Sequence, residues 1–199
     1  MILYITTPSP FARKCRIVVH EKGLAGRVEE VVVDPYANAP ALREANPVVQ
    51  VPTLIASDGL PLSDSPVICE HLDEIGTGPS LLPASGPERL RVKRLETLGN
   101  AALEMGVKLV LEKRRPEAER SPSWIARWTT NMGRSLDALE AAVPEPDAPL
   151  DMGVITAGVA ASWIGFRHPE FGWAEGRPRL TALTAVLETR DSFRATAPA

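Results

Sequence analysis

MILYITTPSPFARKCRIV, residues 1–18, passes from an apolar run into a helix start within a few positions. MILYI is nearly continuous in apolar residues, which predicts a strand buried on both faces. Ser9 followed by Pro10 has the residue types of an N-cap and a first helical position. The serine oxygen can accept an orphan N–H, and proline has no N–H to leave unsatisfied. Phe11, Cys15, Val18 and Val19 then recur at helical spacing on one face, and Lys22-Gly23 closes the element. The chain thus opens with a strand and a helix, and it gathers Ser9, Cys15 and an Arg-Lys pair on that helix.

Outward from this unit, Arg27 to Val33 is Val-rich and reads as a second strand. A proline-broken polar segment follows, with a short helix over Pro40 to Ala45. Val51 to Ala56 reads as a third strand, Ser57-Asp58-Gly59 as a turn, and Leu60 to Leu62 as a short fourth strand. A second Ser-Pro pair, Ser65-Pro66, opens a helix whose apolar face is Ile68, Cys69, Leu72 and Ile75, ending at Gly76. The order is βαβ-α-ββα. GTGPSLLPASGP, residues 76–87, is the strongest linker signal in the chain. The expected division is therefore a first domain over 1–76, a linker over 77–87 and an all-helical domain over 88–199. Helical segments in the latter run from Glu88 to Arg115, from Ser123 to Ala142, from about Asp151, and from Pro178 to Glu188. Asp151 has a capping side chain, and Leu150 and Ile155 flank it as a hydrophobic staple requires.

Composition narrows the functions. The 199 residues are 44% hydrophobic and 24% charged, with a net charge of −3. A chain of this length buries roughly 70% of its unfolded surface and needs no disulfide or metal to fold. Lys113-Arg114-Arg115 is the longest basic run, so nucleic acid is an unfavourable partner. No stretch is long and apolar enough to span a membrane, and no basic leader precedes an apolar segment. The two cysteines form no disulfide framework, and a cytoplasmic location is the expectation. His20, His71 and His168 have no metal-ligand spacing, so no metal is expected.

SPFARK, NPVVQVPTL and LSDSPVICEHL in the first part, with LEKRRP, GFRHPEFGW and RPRLTALTAVLETRDSF in the second, resemble the cytosolic glutathione transferase family over nearly the whole chain. The likeness is to small bacterial members of serine type, with Ser-Pro-Phe at the active-site helix. It implies a thioredoxin-like α/β domain followed by an all-α domain. It also implies glutathione as co-substrate, a small apolar electrophile as second substrate, and a two-fold homodimer. One departure is visible. The helix starting at Asp151 has Val154 where the family places an acidic residue, which leaves half of a capping box and costs up to about 1 kcal/mol.

Redox relatives of the first domain carry a Cys-x-x-Cys pair where this chain has Ser9, Pro10, Phe11 and Ala12. Dithiol exchange is thereby excluded, and Cys15 and Cys69 read as small buried hydrophobes. The resemblance assigns catalysis to Ser9, with the glutathione sulfur as nucleophile. Lowering a thiol pKa from about 8.5 to about 6.5 takes roughly 2.7 kcal/mol and raises the thiolate fraction at pH 7 from about 3% to about 75%. A hydrogen bond to the anion supplies roughly 1.5–3 kcal/mol, and the helix dipole up to about 2 more. The same resemblance assigns glutathione binding to Phe11, Gln50, Val51, Pro52, Asp64 and Ser65. Val51 would pair through its backbone beside a cis-proline, like an added strand. Ser65 and its helix start would take the γ-glutamyl carboxylate, Asp64 the ammonium, and Gln50 the glycyl end. Arg13 and Lys14 are further sources of charge. The electrophile is expected between Ser9 and the long helix from Glu88, with Leu95, Asn100, Leu103, Glu104 and Val107 as candidates. Trp124, Trp128, Trp163 and Trp173 read as packing residues of the helical domain. A non-catalytic transferase-like binding or regulatory protein is the alternative. A glutathionyl mixed-disulfide reductase would want a cysteine at position 9.

Overall fold

The computed structural model describes residues 1–198, which fall into two compact units: residues 1–82 together with the segment from Arg190 onward, and Pro83–Thr189. The first unit is thioredoxin-like. Its strands are β1 (Ile2–Ile5), β2 (Glu29–Val32), β3 (Thr53–Ile55) and β4 (Pro61–Ser63), in the sheet order β2-β1-β3-β4. β1 pairs parallel with β2, Ile2 opposite Glu29, and antiparallel with β3, Leu3 opposite Leu54. β3 pairs antiparallel with β4. The helices of this unit are α1 (Pro10–Glu21), α2 (Pro40–Ala45) and α3 (Ser65–Ile75), with α8 (Asp191–Ala195) added from the far end of the chain.

β1 is not buried on both faces. Leu3 and Ile5 are buried, whereas Ile2 and Tyr4 are half-buried. One face of the sheet meets α1 and α3. The other lies against the six-residue α2 and is left as an open groove lined by Tyr4, Ile55 and Pro61.

The second unit contains α4 (Gly86–Lys113), α5 (Pro122–Ala142), α6 (Met152–Arg167) and α7 (Pro178–Leu187). α6 is buried almost all round and packs against α4 at close range. A Cβ on Gly99 would meet Thr156 Cγ2 at 2.8 Å, and one on Gly106 would meet Trp163 at 2.8 Å. Asp151 caps α6 by accepting the Val154 N–H at 2.8 Å. Its other oxygen accepts from Arg91 of α4 at 2.7 Å, which ties the cap of α6 to α4. Trp163 is buried in this core, but Trp124 is exposed and stacks on half-buried Trp128 at 5.5 Å, because both lie on the outer part of α5.

The division differs from the sequence reading at the tail. Residues 190–198 were expected in the helical domain. They join the first unit instead, because Arg190 and Ser192 bind the Glu21 carboxylate and Phe193 is fully buried beside Arg13 of α1.

Candidate functional site

The catalytic and glutathione-binding residues read from the sequence all lie in the first unit. Ser9 stands between β1 and α1 in an extended conformation, φ −76° and ψ 122°. Its N–H donates to the Thr6 carbonyl at 3.1 Å, and its side-chain oxygen accepts the Ala12 N–H at 3.2 Å. Pro10 fills the first helical position, where no N–H is missed. The Ser9 hydroxyl proton has no acceptor among the described residues. A hydroxyl has one proton and two lone pairs, so capping inward leaves donation outward available. Phe11 follows, half-buried.

The second element is the loop from Asn46 to Thr53. The Val51–Pro52 peptide bond is cis. Among the described residues nothing pairs with the Val51 backbone N–H or carbonyl. Asn46, buried, fixes this loop from within. Its Oδ1 accepts the Val48 N–H at 3.1 Å, and its carbonyl accepts the Val49 N–H at 2.9 Å. Its Nδ2 donates to the Gln50 carbonyl at 3.1 Å and to Thr53 Oγ1 at 3.0 Å. Val49 is held at φ +52°, a conformation that a β-branched residue adopts only under constraint. The Gln50 side chain is exposed and carries no bond among the described residues.

The third element is the start of α3. Asp64, not Ser65, occupies the cap position, with φ +72° and ψ 126°. Its carboxylate is exposed and makes no capping bond. Ser65 is the first helical residue, 1% exposed, and its Oγ is buried with no hydrogen-bond partner. An orphaned buried hydroxyl costs about 1–3 kcal/mol. The uncapped helix start offers free N–H groups and the positive end of the dipole, the combination that receives an anion.

Known proteins share this architecture. The sequence profile of the glutathione S-transferase N-terminal domain matches residues 8–75. The uncharacterized GST-like protein YibF of Escherichia coli (strain K12) is 33% identical over 193 residues, 96% of this chain and 95% of its own. The chain belongs to the glutathione S-transferase family. Among solved structures, a glutathione transferase family member from Pseudomonas fluorescens Pf-5 with bound glutathione has a TM-score of 0.95 at 30% identity, over 100% of this chain and 98% of that one. A glutathione S-transferase from Methylobacterium radiotolerans, in complex with glutathione sulfonate, has a TM-score of 0.91 at 31% identity, over 99% and 94% of the two chains.

Cys15 and Cys69 are free and fully buried, with their sulfurs 3.7 Å apart. Burial, with the Cys69 thiol beside it, pushes the Cys15 thiol well above its ordinary range, so neither geometry nor charge makes it a nucleophile. Arg13 and Lys14 are not solvated: they are 1% and 0% exposed, and Arg13 donates to the Phe193 carbonyl at 3.2 Å. Leu95 and Leu103 belong to the core of the helical unit, whereas Asn100 and Val107 are half-buried and Glu104 is exposed. His168 is buried, with Nε2 3.0 Å from the Gly106 carbonyl. Among the described residues no group of three or more His, Cys, Asp or Glu could hold a metal, and no helix is long and apolar enough to cross a membrane. Sequence reasoning missed Asn46 as the organiser of the Val51 loop. The signal was present as Asn46-Pro47, with Asn46 four residues before Gln50, since an Asn side chain readily ties down the turn that follows it.

Proposed function

We propose that the protein is a glutathione transferase in which Ser9 stabilises the thiolate of bound glutathione. The Ser9 hydroxyl donates to the sulfur while its oxygen caps α1, and Phe11 flanks the same helix start. The Val51 backbone, beside Pro52, pairs with the cysteinyl unit. Ser65 and the free N–H groups of α3 receive the γ-glutamyl α-carboxylate, and the Asp64 carboxylate receives the adjoining ammonium. The Gln50 amide lies toward the glycyl carboxylate, where it binds less strongly than an ammonium would. The orphaned Ser65 hydroxyl fits this reading, because a bound carboxylate is the acceptor that it lacks. The thiolate then attacks a small apolar electrophile, forming a carbon–sulfur bond and expelling a leaving group or taking up a proton. A cytoplasmic detoxifying role as a two-fold homodimer belongs to the same reading. Exposed Val67 on α3 and Leu90 on α4, the latter 71% exposed, are apolar surface of the kind a second copy covers.

The observation that carries the proposal is the Ser9 hydroxyl, which accepts from Ala12 and keeps its own proton for an anion. The test is the ultraviolet thiolate absorbance of bound glutathione at neutral pH in the wild type and in Ser9→Ala. A strong signal that disappears in the variant supports the assignment, and an equal signal in both removes Ser9. Retention on immobilised glutathione with no turnover across a panel of electrophiles would make the protein a binder and not a catalyst.

A further inference from the structure

We infer that Asn46 and Thr53 are positioning residues that aim the Val51 N–H at glutathione, an inference that rests on the binding mode proposed above. The Gln50 carbonyl and the Val51 N–H belong to one peptide unit. That unit is planar and trans, so the two groups point in opposite directions. The Gln50 carbonyl accepts two inward bonds, from Asn46 Nδ2 at 3.1 Å and from Thr53 Oγ1 at 2.8 Å. Asn46 Nδ2 also donates to Thr53 Oγ1 at 3.0 Å, which closes a ring of three hydrogen bonds. Asn46 and Thr53 are 2% and 0% exposed, and Thr53 is fixed in β3 opposite Tyr4 and Ser63. The ring therefore holds the carbonyl toward the sheet and the N–H of the next residue away from it. Without it the peptide unit can rotate, and the donor that would meet the cysteinyl carbonyl is no longer presented. The same Asn46 holds Val48 and Val49 through its own acceptors, so one side chain sets the turn and the peptide plane together.

The experiment measures glutathione affinity by titration calorimetry, thermal stability, and the Val51 amide proton shift on adding glutathione. The proteins are the wild type, Asn46→Asp, Thr53→Val, Thr53→Ser and Asp73→Asn. Asp73 pairs with Lys22 at 2.9 Å and accepts the Leu81 N–H, so its variant loses stability away from the loop. Asn46→Asp keeps the acceptor for Val48 and loses both donors. The expected result is about tenfold weaker binding in Asn46→Asp and in Thr53→Val, with a diminished Val51 shift. Thr53→Ser keeps the hydroxyl and restores wild-type affinity, and Asp73→Asn binds normally despite its lower melting temperature. Should Asn46→Asp fail to fold, the nearly isosteric Thr53→Val carries the test. Wild-type affinity in Thr53→Val, or a loss in Asp73→Asn as large as in Thr53→Val, overturns the inference. If the wild type itself does not bind glutathione, the function proposed above falls and this inference falls with it.

Discussion

The first unit contains the dipeptide Ser-Pro at two helix starts, and the two are built differently. At α1, Ser9 is extended and outside the helix. It caps the first turn through Ala12, and its proline takes the first helical position. At α3 the register is shifted by one. Asp64 holds the cap position at φ +72°, Ser65 is already helical, and its hydroxyl is buried without a partner. The first start is satisfied by the protein and has a donor to spare. The second is left unsatisfied, in the N–H groups and in the hydroxyl. On the proposed reading, identical residues would therefore serve different parts of the ligand: a sulfur that needs one donor, and a carboxylate that needs several.

The sharpest test of this contrast is to remove each hydroxyl in turn. Ser9→Ala should cut the thiolate fraction of bound glutathione at pH 7 from about 75% towards about 3%, with a parallel loss in kcat/KM. Loss of the cap should also cost about 1 kcal/mol of stability, read by denaturant unfolding. Ser65→Ala should weaken glutathione binding about tenfold, measured by calorimetry. Without ligand its effect has the opposite sign to that of Ser9→Ala: deleting a buried orphan should leave the protein as stable or up to about 1 kcal/mol more so. Equal destabilisation by both variants would show that the two starts are the same after all. Asp64→Asn, which removes the charge but tolerates positive φ, should weaken binding only several-fold. Asp64→Gly should in addition raise thermal stability by about 1 kcal/mol by relieving the strained backbone. The smallest effect concerns the thiols behind the two helices. A maleimide at pH 7 should leave Cys15 and Cys69 unmodified in the folded protein, as mass spectrometry would reveal. Because folding raises the Cys15 pKa, the unfolded state ionises first, so stability should fall as the pH rises past about 8.5 and be unaffected below it.

Where the chain carries strong local punctuation, the sequence alone was sufficient. Pro40 and Asn46 bracket a helix that runs from Pro40 to Ala45, and Asp151 caps α6 as its side chain and the following apolar run require. Ser9 is equally plain, since a serine before a proline at a strand end has few other uses. The α3 start was less legible, because Asp64 and Ser65 are both capping residues and only the backbone angle at Asp64 separates them. Arg13 and Lys14 read as sources of charge for the ligand, yet both are buried. Their burial depends on partners remote in sequence, Phe193 among them, and local patterns cannot show these. The ring of Asn46, Thr53 and the Gln50 carbonyl likewise joins a loop to a strand through side-chain chemistry that has no periodicity.

Arg190, Ser192 and Phe193 close onto α1, although more than a hundred intervening residues form the helical unit. On the ribosome, residues 1–82 emerge before the helical unit and wait for it. Helix α1, which Ser9 caps, lacks the Phe193 ring and the Arg190–Glu21 clamp until residues 190–193 have been made. The thioredoxin-like unit is thus completed only after the helical unit has been synthesised, and translation that stops short of residue 190 leaves it with an unfinished flank.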